Sequence, residues 1–168
     1  MSNLILIGYM GCGKSTVGIR LSYRLKMPYV DTDKLIEKEQ MTTISQIFET
    51  EGEAAFRKME TECLKKLFEN KQDYVIAVGG GLVLREENRT LVRKLGKAVY
   101  LRAKPETIYE RLKDDTTRPL LQCEDPQGKI CAMLKERGPI YESAAEFVID
   151  VDGKTFDEIM TEIEETVK

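Results

Sequence analysis

Apolar residues fall into short, often β-branched runs separated by longer stretches with helical spacing, which predicts strands alternating with helices. Leu4-Ile5-Leu6-Ile7 is uninterrupted and reads as a strand buried on both faces. Val17, Leu21 and Leu25 mark an amphipathic helix that begins at Thr16. Pro28 punctuates the chain, Tyr29-Val30 makes a short strand ending in Asp31-Thr32-Asp33, and a helix runs on to about Gln40. Thr43-Ile44-Ser45-Gln46 is a capping box for a helix with Ile47 and Phe48, closed by Gly52.

The stripe Phe56, Met59, Cys63, Leu67 predicts a helix from Glu53 to Asn70, and Tyr74 to Val78 the next strand, running into Gly79-Gly80-Gly81. A helix from about Glu86 to Gly96, a strand at Ala98 to Leu101 and a helix from Pro105 to about Leu112 come next. Residues 113–125 lack periodicity and read as an exposed loop long enough to be a lid. A helical segment starts near Pro126 and breaks at Gly138-Pro139. Phe147-Val148-Ile149 is the last strand, and Thr155 to Glu158 caps the last helix.

Five such strands alternating with helices predict one α/β domain over residues 1–168, a five-stranded parallel sheet flanked by helices on both faces. Ligands of such sheets bind beyond the carboxyl ends of the strands. That rule gathers Gly11 to Ser15, Asp31, Asp33 and Gly79 to Gly81 on one rim.

What sits on the rim is chemically specific. Gly8-Tyr9-Met10-Gly11-Cys12-Gly13-Lys14-Ser15-Thr16 spells G-x-x-x-x-G-K-S between a strand and a helix, the phosphate loop of nucleoside triphosphate sites. Its glycines let consecutive amides turn toward one anion at a helix N-terminus. Lys14 suits the β- and γ-phosphates, and the Ser15 hydroxyl suits the Mg²⁺ that accompanies them. Cys12, beside Lys14 at a helix start, has two readings, a reactive thiol or an inert packed one.

Composition narrows the chemistry further. The chain has no histidine, so a proton acceptor near neutral pH is a carboxylate or a perturbed lysine or thiol. Asp33 either caps the helix after it or accepts the proton of an acceptor hydroxyl, and the neighbouring phosphate loop favours the second role. Asp31, closer to the strand, is the candidate Mg²⁺ carboxylate, since the strand ending at Val78-Gly79 carries no acid.

Arg57 and Arg137 are either solvated surface or, facing the rim, a pair of forks for an acidic acceptor. Arg118, stiffened by Pro119, is placed to neutralise charge on a transferring phosphoryl group from the lid.

The balance of 26 Lys+Arg against 29 Asp+Glu, a formal charge of −3, predicts small-molecule partners and no nucleic acid or membrane. The four cysteines form no C-x-x-C pair and no secretory leader precedes them, so free thiols and a cytoplasmic location are expected. Asn70-Lys71-Gln72-Asp73 imitates a guanine-reading N-K-x-D motif, but it comes after a helix and reads as a polar turn.

Together Gly8 to Thr16, Asp31-Thr32-Asp33, Phe56-Arg57 with Glu60, Gly79 to Gly81, Arg118-Pro119-Leu120-Leu121, and Arg137 with Tyr141 resemble shikimate kinase, a small P-loop kinase. The resemblance implies ATP as donor, transfer to the 3-hydroxyl of shikimate, Mg²⁺ on Ser15, a closing lid and a monomer. It assigns shikimate to Asp33, Arg57, Gly79, Gly80, Gly81 and Arg137, and the nucleotide to Gly11, Cys12, Gly13, Lys14, Ser15, Thr16, Arg111, Arg118 and Lys154. The loop from Asp150 to Thr155 lacks a proline that many members carry there. A kinase for another small acid such as gluconate, and a nucleotide-binding regulator without catalysis, are the competing readings.

Overall fold

The computed structural model describes residues 2–113 and 123–168. Strands β1 (Asn3–Ile7), β2 (Tyr29–Asp31), β3 (Val75–Ala77), β4 (Gly96–Arg102) and β5 (Phe147–Asp150) form one sheet in the order β2-β3-β1-β4-β5. All four neighbouring pairs are parallel, so the chain must cross over between strands, and helices make those crossovers. Eight helices are present among the described residues: α1 (Lys14–Leu25), α2 (Thr32–Gln40), α3 (Ile44–Thr50), α4 (Glu53–Leu67), α5 (Glu86–Leu95), α6 (Pro105–Leu112), α7 (Pro126–Ala144) and α8 (Phe156–Val167). A 3-10 turn, Leu82–Leu84, comes directly after the three glycines.

Successive side chains of a strand point to opposite faces, and Leu4, Ile5, Leu6 and Ile7 are all buried, so both faces of the sheet are covered. Val75, Ile76 and Ala98 to Leu101 extend that core on either side of β1. A second, smaller cluster of Ile36, Ile47, Phe56 and Cys63 ties α2, α3 and α4 together beside it. Each aliphatic side chain so buried contributes about 1.5–3 kcal/mol.

Local signals explain most boundaries. The Thr155 and Glu158 side chains complete a reciprocal capping box at the start of α8. Thr43 likewise accepts from the Gln46 amide at 3.1 Å. Residues 70–73 form the turn between α4 and β3, as their polarity and position predict.

The predicted break at Gly138-Pro139 is wrong, because α7 runs through both residues. Pro139 removes an amide and crowds the preceding turn, but Ile130 on one side and Tyr141 and Ala144 on the other are fully buried. Tyr141 is also tied down through its hydroxyl, which donates to the Gly80 carbonyl at 2.6 Å. Tertiary packing holds the helix where propensity would end it. Smaller shifts are the start of α1 at Lys14 rather than Thr16, and of β4 at Gly96, directly after α5.

Candidate active site

The loop after β1 turns through Gly11 and Gly13, whose φ values of 81° and 100° lie in the left-handed region that favours glycine. Gly13 is the N-cap of α1, so the first amides of the helix open toward the loop. Lys14 Nζ donates to the carbonyls of Gly8 and of Tyr9, the latter at 3.2 Å. Ser15 is exposed in the first turn of α1, with Thr16 half-buried next to it. Cys12 points into the core at 1% exposure, which favours the packed thiol over the reactive one. Its sulfur packs inside the loop, 4.0 Å from Lys14 Nζ.

Beyond β2, the two aspartates separate in role. Asp31 is the N-cap of α2, its Oδ1 accepting from the amides of Asp33 at 2.9 Å and Lys34 at 3.3 Å. Capping therefore falls to Asp31, and the Asp33 carboxylate is turned elsewhere. It lies over Gly79: a Cβ on that glycine would sit 2.6 Å from Asp33 Oδ1 and 3.2 Å from Glu60 Oε2. Arg57 lies equally close over Gly81, where a Cβ would stand 2.5 Å from both terminal guanidinium nitrogens.

Gly80 is gripped from behind by Tyr141, and the Gly79 amide donates to Thr32 Oγ1 at 3.1 Å. The three glycines are thus a strip of bare backbone against which two carboxylates and a guanidinium pack.

Glu60 completes this arrangement. Its Oε1 accepts from Arg57 Nη1 at 2.7 Å, and Arg57 Nη2 reaches Glu53 at 3.3 Å. Burial pushes the Glu60 carboxyl up to about 7, against the pull of Arg57 and with help from Asp33. Burial works against the Arg57 charge, yet Glu60 and Glu53 outweigh it and hold the guanidinium protonated. Arg137, half-buried on α7, is near enough to the Tyr141 hydroxyl and to Glu60 to act electrostatically on both.

On the other flank of the loop, Arg111 Nη1 donates to the Gly11 carbonyl at 3.3 Å. Its guanidinium carbon lies 5.5 Å from the centroid of Phe156, and that of Arg20 lies 5.0 Å from the same ring. Asp152 anchors the adjacent loop to α6, accepting from the Lys104 amide at 2.9 Å and Thr107 Oγ1 at 2.6 Å. Lys154, expected near the nucleotide, instead pairs with both carboxylate oxygens of Glu162 on α8, at 3.0 and 3.2 Å. Arg118 and most of the expected lid lie outside the described residues.

Two buried side-chain polar atoms are without a hydrogen-bond partner among the described residues, Glu60 Oε2 and the Tyr29 hydroxyl. Glu60 Oε2 lies beside Gly79, whereas the Tyr29 ring lies against α1 at Gly18. Buried polar groups are normally satisfied, so each of the two needs its own explanation.

The shikimate kinase family model matches residues 10–168. The chain belongs to the shikimate kinase family. A shikimate kinase of Thermodesulfovibrio yellowstonii is 45% identical over 97% of this chain and 93% of its own length. One from Francisella tularensis is 42% identical over 96% of this chain and 92% of its own length. The shikimate kinase from Acinetobacter baumannii, solved in complex with shikimate, superposes with a TM-score of 0.92 at 36% identity, covering 99% of this chain and 93% of that one. The expected P-loop kinase fold and ATP-dependent kinase activity therefore stand for this shikimate kinase family member.

Three residues of the site escape sequence reasoning. Glu60 belongs to the family pattern without a role of its own there, and only its burial reveals one. Phe156 and Tyr29 look like a cap-adjacent aromatic and a strand residue, and neither carries a local signal for the contact it makes.

Proposed function

We propose that this chain transfers the γ-phosphoryl group of ATP to the 3-hydroxyl of shikimate with the residues assembled on the rim. The observation that carries the reading is the strip Gly79 to Gly81, overlain by Asp33, Glu60 and Arg57 directly beside the phosphate loop. An acid with ring hydroxyls suits that surface, its carboxylate on the forks of Arg57 and Arg137 and its hydroxyls on Asp33 and the glycine backbone. The shikimate complex of the Acinetobacter baumannii relative supports the assignment.

Asp33 accepts the proton of the attacking hydroxyl, or holds that hydroxyl in line, and the absence of histidine leaves the task to a carboxylate. The amides of Gly11 to Thr16 cradle the phosphates, Lys14 tracks the charge of the transferring group, and Arg118 adds its own from the lid. Arg111 and Phe156 offer a planar cation and an aromatic face to adenine, a stronger candidate pair than Lys154.

A divalent cation fits the donors present. Ser15 and the second oxygen of Asp31 are hard oxygen ligands, and no group of three or more His, Cys, Asp or Glu is gathered among the described residues. That sparse set suits Mg²⁺, which keeps most of its water and is bound largely through substrate phosphates. When bound, it would neutralise the β- and γ-oxygens.

The protein acts as a single-domain monomer in the cytosol on small molecules alone. Its charge of −3 and the free cysteines support that reading. Coupled ADP release measured against shikimate, gluconate and other hydroxy acids tests the function. Turnover with shikimate alone is expected, whereas turnover confined to another acid, or binding without turnover, overturns it.

A further inference from the structure

Glu60 Oε2 faces the acceptor surface, but the Tyr29 hydroxyl does not, and its position needs its own explanation. Tyr29 opens β2, and its side chain leaves the strand on the same face as Asp31, two residues on. The ring runs along α1 at Gly18, where a Cβ would stand 2.5 Å from Tyr29 Cε1 and 3.1 Å from Cδ1. Any larger residue at 18 would block this path. Ser15 lies one helical turn from Gly18 on the same face of α1. The ring therefore carries its hydroxyl up beside Ser15, with Asp31 as the neighbouring charge, yet without ordinary hydrogen-bond geometry to either.

A phenylalanine would fill the same space and strand nothing. A hydroxyl kept at this point implies work for it. A serine that binds a cation through a lone pair must send its single proton elsewhere. In this chain the strand ending at Val78-Gly79 offers no acid, and Asp31 Oδ1 already holds two backbone amides.

We propose that Tyr29 is a positioning residue of the nucleotide site, whose hydroxyl accepts a hydrogen bond from Ser15 and thereby turns the serine's lone pairs outward toward the divalent cation. Its own proton points to the Asp31 carboxylate, so one buried oxygen links the two candidate cation ligands. The inference rests on the reading of Ser15 as a cation-holding hydroxyl.

The test is the affinity of ADP with and without Mg²⁺, measured by titration calorimetry for the wild type, Tyr29→Phe, Ser15→Ala and the double variant, with thermal melts alongside. Tyr29→Phe should keep its melting temperature and its metal-free ADP affinity, but lose about three- to tenfold of the tightening that Mg²⁺ confers. Added to Ser15→Ala, it should do nothing more. Full Mg²⁺ tightening in Tyr29→Phe, or an equal loss with and without the metal, would overturn the role of Tyr29 while leaving Ser15 in place. Full tightening retained by Ser15→Ala would remove the parent reading, and this one with it.

Discussion

The carboxylates of Asp33 and Glu60, which come from different helices, converge on one α-carbon, that of Gly79, where a Cβ would lie 2.6 Å from one and 3.2 Å from the other. One of the pair, Asp33, stands in the first turn of α2. The other is fully buried and leans on Arg57.

Gly79→Ala tests this geometry directly. The atoms a new methyl group meets are the tips of side chains, so Asp33 can swing aside and the protein should still fold. The carboxylate then leaves the acceptor hydroxyl, and kcat should fall at least about 100-fold, the scale of general-base catalysis. Asp33→Asn should show a similar loss with an unchanged melting temperature. A fully active Asp33→Asn protein would remove the proposed base.

Arg57→Ala and Arg137→Ala should separate acid binding from nucleotide binding. Each should weaken shikimate by about 10- to 100-fold, as expected for a charge-assisted hydrogen bond, and leave ADP affinity nearly unchanged. Arg57→Ala should also destabilise the protein above pH 7 by about 3 kcal/mol, because Glu60 loses the main cation that offsets the cost of its burial. Arg57→Ala combined with Glu60→Gln should recover stability without recovering shikimate affinity. Calorimetry with each ligand, together with urea melts, checks both halves.

Glu60 predicts a pH dependence of stability. Its carboxyl is raised from the ordinary 4.5 to about 7 in the folded protein, mainly by burial. The folded state therefore holds more protons than the unfolded one between those values, and stability falls as pH climbs through that window. Glu60→Gln keeps the neutral shape and should not show the fall. Urea melts from pH 5 to pH 8 should bring out about 1–3 kcal/mol of divergence between wild type and variant, the wild type losing ground as pH rises. Parallel curves would mean that Glu60 is ionised throughout.

Arg111→Ala and Phe156→Ala should each raise the Kd for ADP by about five- to tenfold, on the scale of one cation–π or stacking contact, and leave shikimate binding alone. Lys154→Ala, whose amine is already held by Glu162, should change neither. An effect of Lys154→Ala on ADP as large as that of Arg111→Ala would restore the lysine to the nucleotide site.

Much of this is legible in the chain because it is written in backbone chemistry. Glycines at 11 and 13 and a lysine at 14 specify a loop that binds phosphate, and β-branched runs specify buried parallel strands. Other features are written in packing and emerge only in three dimensions. Pro139 sits inside a helix because Tyr141 and Ala144 anchor the turn after it. Asp31, not Asp33, became the cap because its Oδ1 meets the amides of residues 33 and 34. Lys154 found a carboxylate four residues beyond the capping box on α8, a contact that motif spacing does not encode.

The strand order puts β3 between β1 and β2. Adjacent strands lie about 4.8 Å apart, so the phosphate loop after β1 and the aspartates after β2 spring from strands roughly 10 Å apart, with one strand between them. Whatever ends that middle strand becomes the floor of the cleft in which, on the proposed function, donor and acceptor meet. Any side chain rising from it would stand as a wall between giver and receiver. Three residues without side chains keep that floor flat.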